Sequence, residues 1–129
     1  MHIFHLAIPC RDLDEAVSFY AGALGCRTAR RYADRVTFDF FGHQLVCHLA
    51  PDKIDSQPTV YPRHFGITLR EEADYELILR RMRDGGVELH TEPFLRFAGR
   101  PEEHATFFLR DPSNNLIEFK HYRDPAMMY

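Results

Sequence analysis

One pattern of secondary structure runs through this chain twice, and that repetition constrains the fold more than any single motif does. The first pass opens on an alternating stretch, residues 3–9, with Phe4, Leu6 and Ile8 on one face and Ile3, His5 and Ala7 on the other. Asp12 reads as a helix cap, with Glu15 three residues on in a box-like arrangement. Leu13, Ala16, Val17, Tyr20 and Leu24 form a helical stripe that Gly25 ends. Three strand-like runs follow, residues 26–32, 35–41 and 43–50, with Ala33-Asp34 and Gly42 as hairpin connections. In the last run Leu45, Cys47 and Leu49 share one face, and Gln44, Val46, His48 and Ala50 the other.

Residues 51–62, with three prolines among mixed polar residues, read as a linker. The pattern then restarts. Residues 63–69 predict a strand with Phe65, Ile67 and Leu69 opposite His64, Gly66 and Thr68. A helix over residues 71–83 has the stripe Tyr75, Ile78, Leu79 and Met82, acids early and arginines late, as the helix dipole favours, and Gly85-Gly86 at its end. Strands are expected near residues 87–90, 94–97, 104–109 and 115–122. His5 to Gly25 spans 20 positions and His64 to Gly85 spans 21; Thr37 to His48 spans 11 and Thr106 to Glu118 spans 12. These offsets predict β-α-β-β-β twice, an α+β fold, with His48 standing in the first half where Glu118 stands in the second. Each opening strand sets its large apolar residues against a face that carries a histidine among small residues, which suits a concave site.

A length of 129 residues is one domain's worth of chain, divided here into a first module (1–50), the linker (51–62), a second module (63–122) and a tail (123–129). A net charge of -3 with no basic run argues against nucleic acid and anionic membrane as partners. No apolar segment approaches the ~18 residues of a membrane span, and no signal-like start is visible. Three cysteines without close pairing point to a reduced, cytoplasmic protein. The apolar tail Pro125-Ala126-Met127-Met128-Tyr129 suggests packing on a second subunit, hence a homodimer.

The stretch 111–120 carries the remaining signal. Asp111-Pro112-Ser113-Asn114-Asn115 reads as a turn, and the strand after it sets Leu116, Glu118 and Lys120 opposite Ile117 and Phe119. A carboxylate in mid-strand is costly to bury unless something positive meets it.

These residues resemble the vicinal-oxygen-chelate superfamily, which includes glyoxalases, fosfomycin and bleomycin resistance proteins and extradiol dioxygenases. The matching stretches are Phe4-His5-Leu6-Ala7-Ile8, Asp12 through Tyr20, Leu24-Gly25, Arg63-His64-Phe65-Gly66-Ile67 and Asp111 through Glu118. Asn114 stands where the family usually has Gly, and Asn is the next-best residue for a positive φ. The resemblance implies two β-α-β-β-β modules forming a half-open barrel around one divalent metal, with His5, His64 and Glu118 as its ligands. Two imidazoles and one carboxylate are also the facial set that leaves positions open on iron(II), suited to a substrate that chelates through neighbouring oxygens.

Within the superfamily the position matched to His48 discriminates. It is an acidic fourth ligand in glyoxalase I-like members and resembles the second-sphere histidine of extradiol dioxygenases, which moves a proton. Phe108 stands where dioxygenases carry a substrate-binding tyrosine, so either His104 or Tyr61 supplies the donor or the chemistry differs. Arg96 and Arg100 are candidates to hold an anionic substrate tail. Phe94, Phe97 and Tyr61 would wall an aromatic substrate, and Cys47 is inert packing. The first expectation is an Fe(II) extradiol-type dioxygenase acting on a catechol-like diol, with His48 catalytic. The second is a glyoxalase-like lyase or isomerase using Ni, Zn or Mn. The third, a ligand-sequestering protein like the bleomycin-resistance members, has no need of the His5, His64 and Glu118 set.

Overall fold

Two sheets of four strands, each built on the same plan, account for the fold; the computed structural model describes residues 1–129. The order is β1(His5–Cys10), α1(Leu13–Val17), a π-helical segment (Ser18–Ala23), β2(Arg27–Arg31), β3(Arg35–Phe40), β4(His43–Leu49), a 3-10 turn (Pro51–Lys53), β5(Phe65–Thr68), α2(Glu72–Asp84), β6(Leu89–Arg96), β7(His104–Arg110), β8(Leu116–Tyr122) and a 3-10 turn (Pro125–Met127). The sheets run β1-β4-β3-β2 and β5-β8-β7-β6, with the first pair of each parallel and the others antiparallel. The β-α-β-β-β repeat and the α+β class are as the sequence predicts. The contacts divide the chain into one unit of residues 1–58 with 111–115, and a second of 59–110 with 116–129.

In the first unit Asp12 caps α1, its Oδ1 accepting from the Glu15 backbone N–H at 2.8 Å. The single regular helix expected over residues 12–24 does not form. After Val17 the coil widens into π geometry, which buries two consecutive aromatics, Phe19 and Tyr20, packed edge to face at 5.0 Å. Tyr20 then lies 5.3 Å from Phe38, on the face of the sheet that also buries Val36, Leu45 and Cys47. Burial pushes the Cys47 thiol up, so the thiolate is suppressed and the side chain is packing.

The turn before β8 belongs to this unit. Asp111 is buried and its carboxylate accepts four hydrogen bonds, from the Tyr20 hydroxyl (2.7 Å), the backbone of Ser113 (2.8 Å) and Asn115 (2.9 Å), and the Asn115 amide (2.8 Å). The Asn115 amide also reaches the Pro9 carbonyl, and the Ser113 hydroxyl accepts from the Arg11 N–H. Asn114 takes the positive φ expected of it, 64°. Burial pushes the Asp111 carboxyl up, and the hydrogen bonds pull it back; four donors aimed at two oxygens fit the ionised form. Asp111→Ala leaves the buried Tyr20 hydroxyl without its acceptor and should cost ~3–5 kcal/mol, the usual loss when one partner of a buried polar pair is removed. The expected melting temperature is lower by roughly 10–20 °C, checked by calorimetry.

In the second unit α2 buries Tyr75, Leu79 and Met82 against the face of Phe107, Leu109, Ile117 and Phe119. Tyr75 meets Phe107 at 5.5 Å, and Phe107 stacks on Phe119 at 5.5 Å. The two strands expected near residues 87–90 and 94–97 are one, β6, interrupted by register shifts between Leu89 and Thr91 and between Thr91 and Phe94. Pro93 lies inside the second irregularity, where no ladder N–H is needed.

Register corrects one reading of the repeat. Gly66 pairs with Glu118, and its counterpart Ala7 pairs with Val46; Thr68 pairs with Lys120, and its counterpart Pro9 pairs with His48. The first-half counterpart of Glu118 is therefore the buried Val46, and His48 matches Lys120. Phe108, not Thr106, matches Thr37. A shift of two residues keeps every side chain on its face but moves it ~6.7 Å along the strand.

Candidate metal centre

His64 and Glu118 come together on the face of the second sheet that α2 leaves uncovered. Gly66 makes this possible: it is the only residue type that fits there, since a Cβ built on it would stand 1.7 Å from the Glu118 carbonyl oxygen. His64 Nε2 lies 3.3 Å from Glu118 Oε1. The other imidazole nitrogen, Nδ1, is 2.6 Å from the Val60 carbonyl oxygen, which can only accept, so Nδ1 carries the proton. With Nδ1 committed to Val60, Nε2 is the nitrogen turned toward the carboxylate oxygen. Two acceptors at that distance need a cation between them, either a proton or a metal ion.

Glu118 is held just as firmly. Its Oε2 accepts from the Thr106 hydroxyl at 2.7 Å, and Lys120 Nζ stands 3.8 Å from Oε1. The residue is only 9% exposed, so its carboxyl group depends on the partners around it, Thr106, His64 and Lys120. Phe108 lies beside Glu118 in register and packs edge to face on His64 at 5.3 Å, and the Tyr61 ring lies 6.0 Å from that of His64. Thr106, Lys120 and the Val60 carbonyl were not among the residues singled out by sequence. Thr106 had a readable signal, since it lies two positions from Phe108 on the same face of β7.

In the first unit His5 stands at the start of β1, beside Gln44 of β4. Gln44 Oε1 is 2.7 Å from His5 Nδ1, so here too Nδ1 is the nitrogen engaged within the protein and Nε2 the one left over. His48 lies on the same face, paired with Pro9 and Arg35 and exposed. It is four residues beyond Gln44, ~13 Å along the strand, which is out of reach for two imidazoles sharing one ion at ~2.1 Å each. Neither unit by itself gathers three histidine, cysteine or carboxylate side chains into a metal cluster.

Of the remaining candidates, Arg96 sits over the Tyr61 ring, its Cζ 5.3 Å from the centroid. Arg100 does not join it: the side chain is exposed, 3.8 Å from Glu102. His104 is buried against Tyr122 at 4.5 Å, with Nδ1 on the Glu102 carbonyl, and behaves as a packed core residue.

The sequence profile of the Glyoxalase/Bleomycin resistance protein/Dioxygenase superfamily matches residues 2–119. The chain belongs to that superfamily. A crystal structure of a member from Alicyclobacillus acidocaldarius is 55% identical and superposes with a TM-score of 0.96, covering 99% of this chain and 96% of that one. A glyoxalase domain-containing protein of Mycosarcoma maydis is 27% identical over 93% of this chain and 68% of its own length. The Arabidopsis thaliana protein Glyoxylase I 4 is 24% identical over 88% of this chain and 67% of its own length. No helix is long and apolar enough to cross a membrane, and all three cysteines are free.

Proposed function

We propose that this superfamily member is a divalent-metal enzyme with His5, His64 and Glu118 as ligands, acting on a small molecule that chelates through two neighbouring oxygens. The observation that carries this reading is the His64 imidazole, held by Nδ1 on the Val60 carbonyl with Nε2 3.3 Å from Glu118 Oε1. His5, pinned by Gln44 in the same way, supports it. The donor set suits Fe(II), and also Mn, Ni or Zn; bound there, the ion supplies Lewis-acid chemistry, and redox chemistry if it is iron.

Each residue then has a task of its own. Gln44 and Val60 orient the imidazoles through Nδ1, and Thr106 holds Glu118 Oε2 so that Oε1 is the oxygen turned toward His64. Phe108 keeps water from the inner side of the pair. His48, exposed on the His5 face of β4 and too far along the strand to share an ion with His5, is the residue we assign to proton transfer.

We favour extradiol-type ring opening of a catechol-like substrate, with Fe(II). The register supports it: the first-half counterpart of Glu118 is Val46, so the β4 face offers Gln44, Val46 and His48 and no acid for a fourth ligand. The second reading, a glyoxalase-like lyase or isomerase with Ni, Zn or Mn, draws on the glyoxalase names of the relatives and on Phe108, which lacks a hydroxyl. A homodimer in the reduced cytoplasm is the expected setting.

Oxygen uptake with simple and bicyclic catechols, read beside metal content, separates the two. For the oxygenase, His48→Ala keeps its metal and loses ~10²–10⁴-fold in uptake rate. Wild-type protein that holds its metal and consumes no oxygen, but converts 2-oxoaldehyde thiol adducts, establishes the second reading.

A further inference from the structure

The second unit holds a guanidinium with both neighbouring ring faces taken and no anion. Arg96 Cζ lies over Tyr61 at 5.3 Å and over Phe97 at 5.0 Å. Arg83, Arg100 and Arg123 each meet a carboxylate of this unit, while Arg96 meets none. Aromatic faces hold a guanidinium through its π surface and leave the N–H fork at its edge unused. Two features of the backbone put it there. The extra residue of β6 around Pro93 resets the alternation, so that Arg96 pairs with His104 and shares the sheet face of Thr106, Phe108 and Glu118. Directly after it Phe97 adopts φ 54°, a left-handed conformation unusual for a bulky residue and typical of functional segments.

The cluster is continuous with the candidate metal centre, because Tyr61 touches both. Its ring lies 5.3 Å from Arg96 Cζ and 6.0 Å from the His64 ring, so the guanidinium is within ~11 Å of that imidazole. We infer that Arg96 is a carboxylate-binding residue, and that the substrate is a small, single-ring-sized acid whose chelating oxygens stand at His64 and Glu118 and whose carboxylate takes the Arg96 fork. The inference rests on the metal reading above and adds the charge and length of the ligand. A fork-to-carboxylate contact is bidentate and charge-assisted, so it selects an anion over a neutral isostere of the same shape.

The test compares 3,4-dihydroxybenzoate with 3,4-dihydroxybenzamide by calorimetric titration into the full chain, both loaded with metal and stripped by chelator. Wild-type protein should bind the carboxylate at least ~10-fold more tightly than the amide, the scale of a charged hydrogen bond. Arg96→Gln should bring that ratio close to one by weakening the carboxylate far more than the amide, and Arg96→Lys, charged but without the fork, should retain part of it. A ratio near one in the wild type, no binding of either probe, or an Arg96→Gln protein that keeps the preference overturns the assignment. The metal reading fails separately, as affinities that are equal with and without metal while the ratio still responds to Arg96.

Discussion

Glu118→Gln should lose metal affinity by at least ~10²-fold and, at the same time, leave the metal-free protein as stable as before or more so. The two effects run in opposite directions because of the lone pairs at this site. In the metal-free wild type, His64 Nε2 lies 3.3 Å from Glu118 Oε1, so the pair must hold a proton between its lone pairs. An amide at 118 turns an N–H donor toward Nε2 and removes the need for that extra proton, while its oxygen still accepts from Thr106. Toward a cation, the same change removes a formal negative charge from a buried position. A ligand role predicts more than the 10–100-fold loss usual for residues behind the ligands. A purely structural ion pair predicts the reverse, a destabilised apo protein with unchanged metal binding. Titration of metal into both proteins, beside their apo melting temperatures, tells the two apart.

Gly66→Ala should be more damaging than any change at the ligands themselves. The added Cβ would stand 1.7 Å from the Glu118 carbonyl oxygen and 2.6 Å from its carbon, in the middle of the β5–β8 ladder. Backbone has no rotamer with which to escape, so β5 must leave β8, and with it goes the pairing that places His64 beside Glu118. The cost should exceed ~5 kcal/mol, enough to exhaust the stability of an ordinary domain. Soluble, cooperatively melting Gly66→Ala protein with unchanged metal content would show that the close approach at Gly66 is not needed.

What could be read from the sequence, and what could not, divides along physical lines. Alternation within strands was legible because its period is two: the face of His5, Gln44 and His48, and that of His64 and Glu118, came out as expected. Local backbone chemistry was legible too, in the Asp12 cap, the positive φ of Gly25 and that of Asn114. Pairing between strands was not. Thr37 and Thr106 are the same residue type near the same offset, and matching them places His48 opposite Glu118 in the repeat. The ladder instead matches Thr37 to Phe108, because register is set by the turns. A two-residue connection, Phe41-Gly42, joins β3 to β4, with φ 53° and 87°, whereas five residues, 111–115, join β7 to β8. The merged strand β6 was hidden by Pro93, which reads as a break but sits in a bulge. Of the partners that define the site, Thr106 could have been read from its place on the Phe108 face, but Val60 and Gln44 were hidden because a backbone carbonyl and an ordinary amide carry no signature of their own.

The central claim is that His5, His64 and Glu118 are metal ligands, and one measurement reaches it most directly: elemental analysis of wild-type protein purified without oxygen and dialysed free of loose ions. The account predicts about one tightly held divalent ion per chain, absent from Glu118→Gln prepared in the same way. Wild-type protein that stays metal-free after being offered Fe(II), Mn(II), Ni(II) and Zn(II) in turn would contradict it.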